Sequence, residues 1–265
     1  MIFNQKIKTL SLLFIIALLF SCESKKVTDS NLAFDIKEYH YSQEDSLTAY
    51  VIADVNYFQI DSKNELAQEI NSIVLSEYKE AKEEIPADPN QLLSLYFYMQ
   101  VEELKEMIAE IGETAALPYE VNYDANVALN NDSLFTFEMR YYSYTGGAHG
   151  NRNITFSNYS LKTNQLIRLT DLFSEQEILV LNKMGEKSFR ESLNIEETKS
   201  LGELGYSFVG GFKLPNNFLL QSDSIQFYYA PYEIGPYSLG DAEFSISYKA
   251  IKQVLTETNL FKYVN

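Results

Sequence analysis

The residues best suited to chemistry lie in two segments rich in glycine and tyrosine. The first, Tyr142–Gly150, contains His149, one of two histidines in the chain. A histidine of ordinary pKa suits a general base near neutral pH, and Ser143, Tyr144 and Thr145 supply hydroxyl groups nearby in sequence. A base also needs a nucleophile, an orienting group or a metal beside it. Spacing alone does not establish such a group, so catalysis by His149 is one of two hypotheses.

The other hypothesis for this segment is structural. Gly146, Gly147 and Gly150 permit backbone angles and close approaches that other residues resist. His149 would then hydrogen-bond a neighbouring backbone group and fix the loop. The segment is not a phosphate loop, because it lacks the Walker spacing and its lysine. We favour the structural interpretation and take Tyr144, Gly146, Gly147 and His149 as candidate binding residues without a catalytic role.

The second segment, Ala230–Gly240, carries Tyr232, Glu233 and Tyr237, and two prolines in it stiffen the backbone. Tyrosine offers a large ring with a polar tip, which suits contacts to sugars or proteins. The alternative is a turn whose rings cover the core. Both alternatives stay open at this point, and we include the three residues among the candidate binding residues.

Composition excludes several classes of protein. The chain has 265 residues, of which 46% are hydrophobic and 14% aromatic, too many for a disordered protein. Its formal net charge of −16 argues against a nucleic-acid partner, since phosphate binding needs a basic surface. A single cysteine excludes an internal disulfide and a multi-thiolate zinc site, and the presence of only two histidines argues against His-rich metal chemistry. We therefore expect no metal and no cofactor.

The N-terminus predicts an export signal and a lipid anchor. Lys6 and Lys8 precede an apolar run over residues 10–20, which is too short to span a bilayer. The only cysteine, Cys22, follows directly, and the sequence around it resembles a bacterial lipobox. We predict a lipoprotein signal peptide over residues 1–21 and a tether over residues 22–30; a plain secretory signal is the alternative. Removing residues 1–21, which hold two lysines and no acid, changes the net charge from −16 to −18.

The periodicity of the exported part predicts an α+β fold with mostly antiparallel sheet. Apolar residues alternate over 47–57, as in a half-buried strand, and a shorter strand at Phe34 and Ile36 precedes it. A stripe of apolar residues at helical spacing runs from Leu66 to Tyr78, after a capping box at Ser62–Glu65.

A second helix starts at Asp88 and Pro89 and carries an aromatic run over 95–99, interpreted as core packing rather than a ligand platform. Further strands, turns and helices follow: a hairpin over 119–141, strands near 154–156, 166–167, 218–220, 225–229 and 244–248, a helix capped by Ser174 and Glu177, and a short C-terminal helix.

The two candidate segments resemble the hallmark loops of a bacterial extracytoplasmic family. The matching stretches are Tyr142–Gly150, Asn158–Leu169, Asp171–Phe173 and Phe227–Tyr237. Together they are similar to the paired domains of unknown function in the anti-sigma factor RsiV and in the peptidoglycan deacetylase PdaC. The resemblance implies two small α+β lobes of mostly antiparallel sheet with packed helices, an N-terminal domain over 31–169 and a C-terminal domain over 170–265.

The resemblance also implies a place and a class of function. These domains lie outside the membrane, and in the anti-sigma relative they bind lysozyme. We expect no separate catalytic domain like that of the deacetylase in this chain. We therefore predict a lipid-anchored, noncatalytic binding module of the cell envelope, periplasmic or surface-exposed. Its partners would be the membrane, through Cys22, and a cationic envelope protein such as lysozyme, or peptidoglycan. The alternatives are an envelope peptidoglycan hydrolase or deacetylase using His149, and a structural envelope lipoprotein.

The lipid anchor gives the first testable prediction. Cys22→Ser removes the only thiol that could be acylated, so the exported chain should leave the membrane fraction and the detergent phase. Cell fractionation and detergent partitioning measure this change. An unchanged membrane fraction would contradict the lipoprotein interpretation, and Ser21→Ala at the preceding residue serves as the control that keeps the thiol.

Overall fold

The chain forms two sheets, each with helices packed against it. The computed structural model describes residues 32–44, 50–79, 86–111 and 119–264. The predicted signal peptide, Cys22 and the tether lie outside these residues. The larger sheet has six strands in the order β1-β2-β3-β4-β5-β6, and the smaller has three in the order β7-β8-β9. Only β2 and β3 run parallel; all other neighbours are antiparallel, which confirms the predicted fold class.

The strands of the larger sheet follow the predicted alternation closely. Their bounds are β1 Phe34–Glu44, β2 Tyr50–Ile60, β3 Tyr119–Asn130, β4 Leu134–Tyr144, β5 Asn151–Ser160 and β6 Gln165–Leu166. The predicted hairpin is the β3–β4 pair, whose turn is held by the Asn131 side chain accepting from the backbone of Ser133 and Leu134. The strand predicted only around Phe34 and Ile36 is eleven residues long, because β1 pairs with β2 along its whole length.

Two helices, α1 Glu65–Val74 and α2 Pro89–Ile111, cover one face of this sheet. The predicted capping box at Ser62 is wrong, because the N-cap of α1 is Asn64, whose side chain accepts from the backbone N–H of Ala67 at 2.7 Å. The cap predicted for α2 is present: Asp88 accepts from the N–H of Gln91 at 3.0 Å.

The aromatic run on α2 only partly matches its interpretation as core. Phe97 is fully buried against Tyr39 and Tyr41 of β1. Leu95, Tyr98 and Met99 are instead exposed. These three side chains lie on the face of the helix away from the sheet. In so short a run, the spacing of apolar residues does not distinguish this face from the buried one.

The C-terminal part contains the smaller sheet and three helices. The elements are α3 Leu169–Leu172, α4 Glu175–Ser192, β7 Phe218–Leu220, β8 Ser224–Tyr229, β9 Ala242–Ser247 and α5 Tyr248–Val254. The Ser174–Glu177 capping box of α4 forms as predicted. A second core surrounds Phe189 and Phe244, and it also includes Leu134 of β4. The predicted division at residues 169 and 170 stays a prediction, and the second core also includes Ile167 and Leu169, which precede it.

Side-chain amides join the two sheets. The buried Asn158 of β5 donates to the carbonyl of Phe218 and accepts from the N–H of Leu220, both at 2.7 Å. Asn217 reciprocates, accepting from the N–H of Phe156 at 2.9 Å and donating to the carbonyl of Ile154 at 2.6 Å. Between β5 and β7, amide side chains thereby supply the hydrogen bonds that backbone groups supply between directly paired strands. These bonds hold β7 in one register along β5.

This junction predicts a specific loss of stability. Asn158→Ala leaves the carbonyl of Phe218 and the N–H of Leu220 buried without partners, which should cost about 2–4 kcal/mol. Urea denaturation measures the difference. Asn153→Ala, on the exposed side of the same strand, is the control and should stay within about 0.5 kcal/mol of the wild type. Equal stability of the two variants would contradict the structural role of Asn158.

Candidate functional site

The two candidate segments form loops at the same end of the molecule. The histidine loop (residues 145–150) joins β4 to β5, and the tyrosine loop (residues 230–241) joins β8 to β9. Because Asn158 and Asn217 set β7 alongside β5, the start of β5 and the end of β8 lie at one end. The fold therefore brings together two loops that are about 80 residues apart in sequence.

Three of the predicted residues make one aromatic cluster, consisting of His149, Tyr232 and Tyr237. The His149 ring stacks on Tyr237 with 3.6 Å between ring centroids and 12° between planes. Tyr232 lies 5.5 Å from Tyr237 and 6.4 Å from His149, again between centroids. Stacked and tilted rings at these distances attract each other beyond simple burial. The cluster spans both loops.

Hydrogen bonds hold the cluster in place and indicate which ring nitrogen of His149 carries a proton. The Tyr237 hydroxyl donates to the carbonyl of Gly150 at 2.8 Å, and His149 Nδ1 lies 3.0 Å from the same oxygen. A carbonyl oxygen only accepts, so Nδ1 carries the proton. In the neutral ring Nε2 is then an acceptor, 3.3 Å from the Tyr232 hydroxyl that can donate to it. Both ring nitrogens of His149 are occupied by these contacts.

Backbone conformation explains the glycines of the histidine loop. Gly146 and Gly147 have φ of +92° and +94°, in the left-handed region that favours glycine. No atom lies within 4 Å of a Cβ added at either position, so conformation rather than crowding requires glycine there. Tyr144 contributes locally, because its hydroxyl donates to the carbonyl of Gly147 at 3.1 Å. At Gly150 steric crowding requires glycine, because an added Cβ would lie 2.5 Å from the ring of Tyr142.

The tyrosine loop holds its most exposed ring at a strained position. Tyr232 has φ of +70°, which few residues other than glycine adopt, and its side chain is 64% exposed. Such strain costs about 1 kcal/mol or more and clusters at functional sites. Glu233 closes the same turn, since its carboxylate accepts from the N–H of Ala230 at 2.9 Å. Glu233 therefore shapes the loop that presents Tyr232.

A charged pocket beside the cluster is the part that sequence reasoning missed. It has a volume of about 190 Å³. Arg152 pairs with Asp241 at 2.5 Å on one side, and Arg140 bridges Glu138 and Glu243 on the other. The hydrogen bonds that Arg140 donates to Glu138 and then to Glu243 raise the pKa of Arg140, so its guanidinium stays charged.

The floor of this pocket contains the buried hydroxyl of Tyr228. That hydroxyl has no partner in hydrogen-bonding geometry among the described residues. Burial first, and then the nearby charge of Asp241, raises the pKa of Tyr228, so the hydroxyl stays protonated. Arg152 follows Gly150 by two residues, and this closeness to the motif is the signal by which the pocket could have been found.

Other parts of the described chain are separate from this site. A cavity of about 690 Å³ lies beside β6 and α3 and is lined by none of the candidate residues. Within the described ranges, no group of three or more His, Cys, Asp or Glu side chains is arranged to hold a metal ion. None of the helices described is long and apolar enough to cross a membrane.

Two family models match separate parts of the chain. Residues 44–152 match the family of the deacetylase PdaC, and residues 170–249 match a family of proteins of unknown function, DUF3298. These matches agree with the paired domains expected from the loop motifs. No functionally curated protein matches the sequence.

Solved structures share the fold. A DUF3298-family protein from Bacteroides fragilis superposes with a TM-score of 0.68 at 24% identity, covering 89% of this chain and 98% of its own. A DUF3298-family protein from Pseudomonas aeruginosa gives a TM-score of 0.60 at 18% identity, covering 83% of this chain and 93% of its own. At these identities the likeness establishes the fold alone.

The contact between the two loops gives a testable prediction. Tyr237→Phe keeps the ring but removes the hydrogen bond to Gly150, so amide hydrogen exchange should become faster in both the histidine and the tyrosine loops. The stability loss should be about 0.5–1.5 kcal/mol. Tyr144→Phe, whose hydroxyl bonds only within the histidine loop, is the control and should affect that loop alone. Unchanged exchange in Tyr237→Phe would show that the loops are not coupled through this bond.

Proposed function

We propose that this chain, a PdaC-type domain joined to a DUF3298 domain, is a noncatalytic binding module that works outside the cytoplasmic membrane. The aromatic cluster is its binding site, and lipid on Cys22 holds it at the membrane. The observation that carries the proposal is the convergence of His149, Tyr232 and Tyr237 from two distant loops onto one exposed surface.

The geometry of the cluster suits binding because it is preorganised. Tyr237 and His149 are fixed by their stack and by the shared carbonyl of Gly150. Tyr232 stands beside them at a strained backbone position with most of its ring exposed. Rings that are already ordered lose little conformational entropy on binding, and tyrosine is enriched among residues that dominate interface energies.

Charge supports a cationic protein as the ligand. The exported chain carries a net charge of −18 once residues 1–21 are removed. An acidic protein attracts cationic partners and speeds their association at low salt. Lysozymes that attack the cell wall are cationic, and the paired domains that this chain resembles bind lysozyme in the anti-sigma relative. We therefore propose a lysozyme-like protein as the ligand and treat peptidoglycan as the alternative to be tested.

The contacts of His149 favour a positioning role over catalysis. A general base removes a proton from a nucleophile or substrate, whereas a positioning residue uses its ring nitrogens to join neighbouring segments. In this site Nδ1 faces a backbone carbonyl and Nε2 faces the Tyr232 hydroxyl. The histidine thereby connects its own loop to the tyrosine loop. A residue with these contacts positions the two loops and so shapes the binding surface.

A binding measurement tests the proposal. The exported chain from residue 23 onward should bind a cationic lysozyme saturably in calorimetry, with an affinity that falls as salt rises. Tyr232→Gly removes the exposed ring and relieves the strained backbone, so binding should weaken about 10- to 100-fold while the fold is kept. Tyr98→Ala on α2, with 52% of its side chain exposed, is the matched control and should bind like the wild type.

Two further assays separate the alternatives. If the protein sediments with purified peptidoglycan but does not bind lysozyme, its ligand is a glycan rather than a protein. The protein would still be a binding module. Product release from peptidoglycan fragments by the wild type, lost in His149→Ala, would contradict the noncatalytic proposal. Absence of binding to either ligand at low salt would overturn the proposed function.

A further inference from the structure

The outer edge of β1 is a long strand edge that carries the charged residues Asp35, Lys37 and Glu38 but is neither shortened nor bent. β1 pairs with β2 through eleven consecutive partners without a register shift, and it is the first strand of the described six-stranded sheet. It contains no proline, no glycine and no bulge. Natural proteins normally shorten, bend or cover such edges, because exposed N–H and C=O groups can pair with another strand. The opposite edge, β6, has only two residues.

The ladder fixes which groups of β1 face outward. The N–H of Asp61 donates to the carbonyl of Ala33 at 3.2 Å, so the pair Phe34–Ile60 is a non-hydrogen-bonded pair. Alternation along the antiparallel ladder then leaves the backbone groups of the even-numbered residues directed away from β2. The outward-directed positions include Ile36, Glu38, His40 and Ser42.

An exposed apolar patch lies next to this edge. Ser94 of α2 contacts Tyr39 of β1, with 3.0 Å between their hydroxyl oxygens. Tyr98, one turn further along the same side of the helix, is 52% exposed. Leu95 and Met99 extend the patch across the top of the helix and are also exposed. The edge and the patch together form one surface with both backbone hydrogen-bonding groups and apolar area.

We propose that two copies of this chain pair through β1, antiparallel about a twofold axis at Tyr39. This register places Glu38 opposite His40 of the second copy. His40 already pairs with Asp54 of its own chain, with 2.7 Å between Nδ1 and Oδ1. Shifting the pairing by two residues in one direction places Glu38 opposite Glu38, and like charges directly opposite are unfavourable. The shift in the other direction places Glu38 opposite Ser42 and away from His40. The contact of Glu38 with the His40–Asp54 pair thus favours a second copy in one register.

The helices support the same arrangement. α2 contacts both β1 and β2. Its axis therefore lies between these two strands, at about half the distance from β1 to β2. Joining the two β1 strands at about 4.8 Å brings the two α2 helices to about 10 Å, the usual distance for packed helices. Tyr98 and Leu95 of each copy then face the other copy across the axis and become covered.

Sedimentation velocity on the exported chain from residue 23 onward tests the pairing, since this chain lacks Cys22. The wild type should show twice the mass of one chain, in a concentration-dependent equilibrium. Ser42→Pro removes an outward N–H without removing a bond to β2, so it should give the mass of one chain. Glu38→Lys, which needs no backbone change, should weaken the dimer at least several-fold.

Engineered cysteines test the register independently. Ile36→Cys combined with Ser42→Cys sets two thiols opposite each other across the axis, so oxidation should crosslink two chains. Ile36→Cys alone is the matched control and should not crosslink, because the two copies of residue 36 lie on opposite sides of the axis. A wild type with the mass of one chain at every concentration would overturn the proposal, as would a dimer that survives Ser42→Pro without crosslinking through residues 36 and 42.

Discussion

The interaction on which the rest of the structure depends is the exchange of hydrogen bonds between Asn158, Asn217 and the strands of the opposite sheet. Four bonds from two amide side chains tie β7 to β5, and Thr136 of β4 adds a fifth by donating to the carbonyl of Leu220 at 2.9 Å. Buried polar groups that are fully paired specify one arrangement, since any shift leaves them unsatisfied. The relative position of the two sheets, and with it of the two loops, follows from this network.

Local patterns in the sequence predicted most elements but not their long-range partners. The β3–β4 hairpin and the Ser174 cap follow from spacing within a few residues, and both are present. The length of β1 depends on pairing with β2, and the true cap of α1, Asn64, differs from the predicted Ser62 by two residues. The amides of Asn158 and Asn217 look like ordinary polar residues in the sequence. Their role exists only when strands about 60 residues apart meet.

The candidate site shows the same division between what a motif reveals and what the fold adds. The glycines and aromatic residues of both loops were identified from their sequence, whereas their contact, with His149 stacked on Tyr237, required the structure. Glu233 proved to close a turn. Arg152 and Asp241 form the adjacent charged pocket, although neither stands out without its partner. Sequence motifs thus indicated the two loops, and tertiary packing determines which of their residues are exposed and which support the loops.

The most direct test of the account is a chemical-shift map of the exported chain titrated with a cationic lysozyme. Backbone amide signals that change during the titration identify the residues at or near the interface. If the aromatic cluster is the binding site, the changes will concentrate in residues 145–150 and 230–241. Changes concentrated elsewhere, such as at the large cavity beside β6 and α3, with both loops unaffected, would contradict the central claim.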